Sequence, residues 1–176
     1  TPPGGRGKDN MMTMFEDEKY AKHFVTVWRN IATRFKDHPD RDAIWAYDLM
    51  NEPVLSRRAT ANRENDALFL RAAKAIRFVD QDAVIIVESP GWASPRTFSD
   101  MRPLPLENIV YQAHMYAPAN FTHQFVIPEA TPPIKGSNDL LSYPGPVEGE
   151  QWNKERLRKE LQPVRDFQLR YGARIY

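Results

Sequence analysis

Asn51-Glu52-Pro53 stands directly after the apolar run Ala43 to Leu49 (AIWAYDL). A glutamate at a strand end, beside a neutral amide donor, is equipped for general acid catalysis. Burial raises a carboxyl's pKa, and the amide can hold a substrate or orient the carboxyl. A plain turn, with Asn51 bonded to backbone and Glu52 in solvent, fits the same residues. His114-Met115-Tyr116 follows a second such run, Ile109 to Ala113. Two residues apart on an extended chain, His114 and Tyr116 point to one side, and both can donate to a polar ligand or a carboxylate. The alternative is a satisfied buried histidine with a rim aromatic. Trp92, in the Ser89-Pro-Gly-Trp turn, offers a flat face on which a sugar ring could stack, or simply packs at the rim. Glu88 ends the run before that turn and is a candidate second carboxylate, with a surface role the favoured reading. His23 and His38 read as structural, and His123 lies in a loop without an assigned role. The four histidines lack the spacing of a zinc motif, so no metal site is expected.

The elements that position these groups follow from apolar periodicity and punctuation. Thr1 to Asn10 is a Pro/Gly-rich loop. Thr13 and Glu16 have capping-box spacing, and Tyr20, Phe24, Val27, Ile31 and Phe35 form one face of a helix running to about Lys36. Asp37-His-Pro-Asp breaks it. A second helix is predicted from about Arg63 to Val79, with Leu68, Ala72, Ala75 and Val79 as its stripe. Ala83 to Val87 (AVIIV) suits a strand buried on both faces. From Ala117 to about Gln151 a long loop holds six of the 15 prolines. The last helix carries Leu157, Leu161, Val164, Phe167 and Tyr171. Gly172 is placed to cap it, and Pro163 kinks it unless it sits in a broken turn. Arg174 to Tyr176 begins another strand.

Strands alternating with helices imply α/β architecture with a parallel sheet, either doubly wound or a (β/α)₈ barrel. No dinucleotide fingerprint or P-loop follows any strand. A whole barrel usually takes ~250 residues, so 176 residues with four recognisable strands read as an incomplete one. A charge balance of 24 Lys+Arg against 23 Asp+Glu gives no electrostatic reason to expect nucleic acid or an anionic membrane as partner. No stretch approaches the ~20 apolar residues of a spanning helix. With no cysteine there is no disulfide framework, thiolate metal site or cysteine nucleophile.

The run IWAYDLMNEP resembles the acid/base strand of glycoside hydrolase family 5, the cellulase family of retaining β-glycanases. TPPGG at Thr1 to Gly5 resembles the loop after that family's third strand. VYQAHMYAP at Val110 to Pro118 resembles its sixth strand with a His-x-Tyr pair, and RYGARIY the approach to its seventh. The resemblance implies an incomplete TIM barrel, from the loop after strand three to the start of strand seven, with residues 1–176 a single partial catalytic domain. It implies Glu52 as acid/base, Asn51 as the neighbour that binds the sugar's 2-hydroxyl, and His114 and Tyr116 as a pair near the nucleophile. Trp92 is a candidate subsite aromatic. The nucleophilic glutamate is expected beyond Tyr176, so the chain alone is expected to be inactive and marginally folded. The implied enzyme is a secreted glycosidase that cleaves β-1,4-glucan, needs no cofactor or metal, and is monomeric at full length. A β-mannanase, an exo-β-1,3-glucanase and a non-catalytic carbohydrate-binding relative are the alternatives, with a phosphate-handling barrel enzyme behind them.

Overall fold

Four parallel strands lie side by side in the order in which the chain makes them: β1 (Tyr47–Asp48), β2 (Ile85–Glu88), β3 (Ile109–Gln112) and β6 (Arg174–Ile175). This computed structural model describes residues 2–7, 11–54, 64–124 and 141–176, the side chains of 64–66 apart. The expected helix start at Arg63 lies outside the described residues. So do Thr1, residues 8–10 and residues 125–140 of the long loop, with Pro128, Pro132 and Pro133.

Helix α1 (Glu18–Phe35) precedes β1, α2 (Glu64–Arg77) lies between β1 and β2, and α4 (Lys154–Tyr171) precedes β6. Thr13 does not cap α1 as its spacing predicts. Met14 and Phe15 are buried and draw Thr13–Phe15 into a separate 3-10 turn. Asp17 caps instead, its carboxylate accepting the Lys19 N–H at 2.8 Å, a favoured place for negative charge at a helix start. The buried face of α1 is Ala21, Phe24 and Ala32, while Val27 is 47% exposed. Trp28, absent from the predicted stripe, donates its indole N–H to the Leu49 carbonyl at 3.1 Å and so ties α1 to the chain just past β1. α2 buries a wider face than expected, adding Phe69, Ala73 and Ile76 to Leu68 and Ala72.

β1 is shorter than the apolar run that announced it. Residues Arg41–Ala43 form a 3-10 turn in which the Arg41 guanidinium holds the Ile44 carbonyl (2.8 Å) and Asp80 (2.6 Å). The segment expected to be an open loop contains structure. It holds a short helix α3 (Ala119–Thr122) and a hairpin of β4 (Gly145–Val147) with β5 (Glu150–Trp152). Glu148 and Gly149 both have positive φ at its tip, as a two-residue hairpin turn requires. In α4, Pro163 lies inside a continuous helix, and Gly172 at φ 62° ends it. Leu161, expected in the core, is 40% exposed. Glu160 is buried in its neighbourhood because Arg96 (2.7 Å) and Arg156 (2.6 Å) neutralise it.

Successive strand residues point to opposite faces. Tyr47, Ile85, Val87, Ile109 and Tyr111 join the hydrophobic core under the helices, with Phe24, Phe69 and Phe167. Asp48, Ile86, Glu88, Val110 and Gln112 therefore share the other face, where the register sets Asp48 beside Ile86 and Glu88 beside Gln112.

Candidate active site

The site forms where the chain leaves β1, β2 and β3 at their C-terminal ends. Glu52 has φ 49°, a left-handed conformation that is uncommon for a residue with a side chain. Its neighbours hold it there. The Glu52 N–H donates to Glu88 Oε2 at 2.7 Å. The Pro53 carbonyl accepts from the N–H groups of Gly91 (2.9 Å) and Trp92 (3.3 Å), and the Val54 carbonyl accepts from the Met12 N–H (3.1 Å). The turn is thus fastened to the loop after β2 on one side and to the N-terminal segment on the other.

The side chain of Glu52, 29% exposed, meets His114, 19% exposed, with Oε1 2.9 Å from Nδ1. The other face of the ring is set by Gln112. Its amide nitrogen lies 3.0 Å from Glu88 Oε1 and 2.9 Å from His114 Nε2. An amide nitrogen has hydrogens to give and no acceptor to offer, so it donates to both. His114 Nε2 then carries the lone pair, and the Nδ1–H donates to Glu52. The His114 backbone N–H is fixed by the Ala93 carbonyl at 2.8 Å.

Glu88 is not the surface residue its sequence position suggests. It is fully buried, and also lies 3.4 Å from His114 Nε2. Burial pushes its carboxyl up to about 7; the Glu52 N–H opposes the rise, the nearby Asp48 carboxyl adds to it, and His114 opposes it. Burial likewise raises Asp48, against hydrogen bonding to Glu88 and to the Met50 backbone. Sequence reasoning passed over Asp48 and Gln112 and misplaced Glu88. The available signal was a polar residue in a strand otherwise buried on both faces.

Of the remaining expected site residues, Asn51 is exposed beside Glu52. Tyr116 is 51% exposed and sets its ring edge-on to that of His114, with centroids 6.3 Å apart. His123 is the neighbour that the sequence left unassigned, its ring 5.1 Å from that of Tyr116. Trp92 has φ 61° and is 54% exposed. It lines a cavity of about 390 Å³ with His114, Tyr116, Trp152 and Glu148, so the hairpin contributes a wall. A second groove, of about 490 Å³, starts at Asn51 and runs over Met50 and Trp28 to Pro2 and Arg6. Glu52 adjoins the second through Asn51 and the first through His114. His23 packs on Tyr20, and His38 Nδ1 accepts the Asp40 N–H; both are away from this cluster.

A partly exposed carboxyl hydrogen-bonded to an imidazole, between two grooves lined with aromatic rings, can exchange a proton with a ligand lying along the strand ends. Known proteins share this arrangement of chain. The sequence is 30% identical to Endoglucanase C of Acetivibrio thermocellus, over 99% of this chain and 54% of that protein. Endoglucanase C307 of Clostridium sp. gives the same figures. A solved endoglucanase superposes with a TM-score of 0.70 at 27% identity, over 93% of this chain and 48% of that one. A hyperthermophilic endo-beta-1,4-glucanase, solved in complex with substrate, superposes at 0.69 and 25%, over 90% and 46%. The chain spans about half the length of these relatives, and its parallel sheet and helices are those of an incomplete TIM barrel. The family model described as Cellulase (glycosyl hydrolase family 5) matches residues 8–166, and the chain belongs to that family.

Proposed function

We propose that residues 1–176 are part of the catalytic domain of a retaining β-glycanase that hydrolyses β-1,4-glucan, with Glu52 as its general acid and base. The observation that carries this reading is the Glu52–His114 pair at 2.9 Å, on a carboxyl that solvent and ligands can reach. The His114 Nδ1–H occupies Oε1, leaving Oε2 to give the proton to the glycosidic oxygen. After the leaving group departs, the same oxygen takes a proton from water.

The family resemblance supplies the second carboxylate as a glutamate beyond Tyr176, ~5–5.5 Å from Glu52 as retaining hydrolysis needs. It would attack the anomeric carbon and form the covalent intermediate. Asn51, exposed beside Glu52, is the residue to hold the 2-hydroxyl. Tyr116 is the residue to hydrogen-bond the nucleophile, and Trp92 a platform for a sugar ring. No step calls on a metal or an organic cofactor, and residues 1–176 alone, with one of the two carboxylates, should not turn substrate over. The polymeric substrate implies a secreted enzyme; no helix among the described residues is long and apolar enough to cross a membrane.

The relatives' name, endoglucanase, supports a glucan, and the endo-beta-1,4-glucanase among the similar structures supports the β-1,4 linkage. The test is hydrolysis of carboxymethylcellulose, β-mannan and laminarin by the protein extended through its nucleophile. Release of cello-oligosaccharides, abolished by Glu52→Gln, is the expected result. Saccharide binding without turnover of any glycan would overturn the catalytic reading in favour of a binding protein, and turnover of mannan or laminarin alone would overturn the substrate.

A further inference from the structure

Glu88 has no part in the chemistry just described, yet it is the most deeply placed charged group in the site. Its side chain is fully buried, and each of its oxygens is spent on the neighbours of the proposed proton donor. Oε2 takes the backbone N–H of Glu52 at 2.7 Å. Oε1 takes the Gln112 amide at 3.0 Å, and that amide in turn donates to His114 Nε2 at 2.9 Å. The ring closes at Glu52 Oε1, 2.9 Å from His114 Nδ1. One carboxyl, brought by β2, thus grips Glu52 twice: directly at the backbone, and through β3 at the side chain.

We infer that Glu88 is a positioning residue for proton transfer by Glu52, fixing both its left-handed backbone and the orientation of the imidazole that holds its carboxyl. This rests on the acid/base reading of Glu52. Three physical points argue for it. A buried carboxyl without donors is costly, so its presence calls for partners, and the partners it has are the site. The positive φ of Glu52 needs an outside restraint, and the hydrogen bond to Glu88 is attached at that residue. Finally, an amide with a carboxyl oxygen on one side can only present its N–H to the imidazole on the other, which selects the Nδ1–H form facing Glu52. Asp48 on β1 also stands close enough to affect the Glu88 carboxyl, so the titratable groups that face it are Asp48 and His114, with the Glu52 backbone N–H between them.

Glu88→Gln keeps the shape but turns one acceptor into a donor, so either the Glu52 N–H or the Gln112 amide faces another N–H. The experiment compares kcat/KM for two substrates on the protein extended through its nucleophile. Cellotetraose has a sugar leaving group that must be protonated, whereas a 2,4-dinitrophenyl cellobioside has one that leaves without help. A positioning role predicts a loss of about 100-fold or more on cellotetraose, within the range general acid catalysis supplies, and a change below about threefold on the activated substrate. The alkaline limb of the pH–rate profile on cellotetraose, which reports loss of the Glu52 proton, should move as well. Equal losses on both substrates, or no loss on cellotetraose, would overturn the inference. If Glu88→Gln does not fold, Gln112→Met breaks the same link and must reproduce the leaving-group dependence in weaker form; its absence is equally fatal. Glu52→Ala with azide added separates the two levels. If Glu52→Ala shows no leaving-group dependence and no rescue, the acid/base reading itself has failed, whatever Glu88→Gln does.

Discussion

The two faces of the four-stranded sheet are made by alternate residues of the same strands, and they differ in almost every respect. Toward the helices, Tyr47, Ile85, Val87, Ile109 and Tyr111 pack among phenylalanines, and even the Tyr111 hydroxyl is used internally, accepting the Leu104 N–H at 2.7 Å. On the other face, Glu88 and Gln112 form a hydrogen-bonded cluster that leads to His114 and Glu52, with the Asp48 carboxyl beside it. The helix side is held by buried area, which is non-directional and tolerates any apolar residue of suitable volume. The site side is held by directional bonds between groups that would be expensive to bury alone. Changes on the first face should therefore appear as stability, and changes on the second as chemistry.

That division can be broken from either side. The largest expected effect is Glu52→Gln, which should lower kcat on cello-oligosaccharides by roughly 10³-fold, within the range for a lost general acid, while leaving the melting temperature in place. A large fall in stability with activity retained would erase the distinction. On the opposite face, Phe69→Ala removes a ring that is 1% exposed and packed edge-on against Phe15. It should cost about 3–5 kcal/mol in urea unfolding.

A subtler test sharpens the comparison through pH. The native Glu88 carboxyl, at about 7, holds its proton more tightly than the ordinary value of 4.5. The stability it contributes is complete below 4.5 and is lost as pH rises through 7. Unfolding free energy should therefore increase as pH falls across that window, by at most about 1.4 kcal/mol per pH unit for one proton. Asp48, raised in the same direction, adds to the trend. Glu18 and Glu160, held low by arginine partners, act in the opposite sense only below 4.5. Glu88→Gln should flatten the slope, and an unchanged slope would mean that the burial of Glu88 is not what produces it. The smallest effect belongs to neither face: Asp17→Ala should cost about 1 kcal/mol through the lost α1 cap, with no change in kcat.

Much of the helix side was legible without coordinates. Runs such as AVIIV and the spacing of Phe24, Leu68 and Phe167 announce buried strands and helices, because burial imposes a period on local sequence. The errors lie where a local rule met a stronger tertiary one. Thr13 lost its capping role to Asp17 because Met14 and Phe15 are drawn into the core. The β4–β5 hairpin was missed because strands of three residues are too short to show alternation. Glu160 was passed over and Leu161 favoured, since nothing local shows that Arg96, 64 residues away, will supply the counter-charge.

The site divides the same way. Asn51, Glu52, His114 and Tyr116 could be picked out from residue type at strand ends and from the family motifs they form. The sequence by itself therefore determined the kind of scaffold and singled out the carboxyl proposed for chemistry, because residue type and period are local properties. Only the tertiary structure decided that Glu88 lies inside, that Gln112 turns the imidazole, and that a strained backbone carries Glu52. Those facts depend on register between strands 24 and 36 residues apart, and hydrogen bonds at such separations leave no trace in the order of residues along one strand.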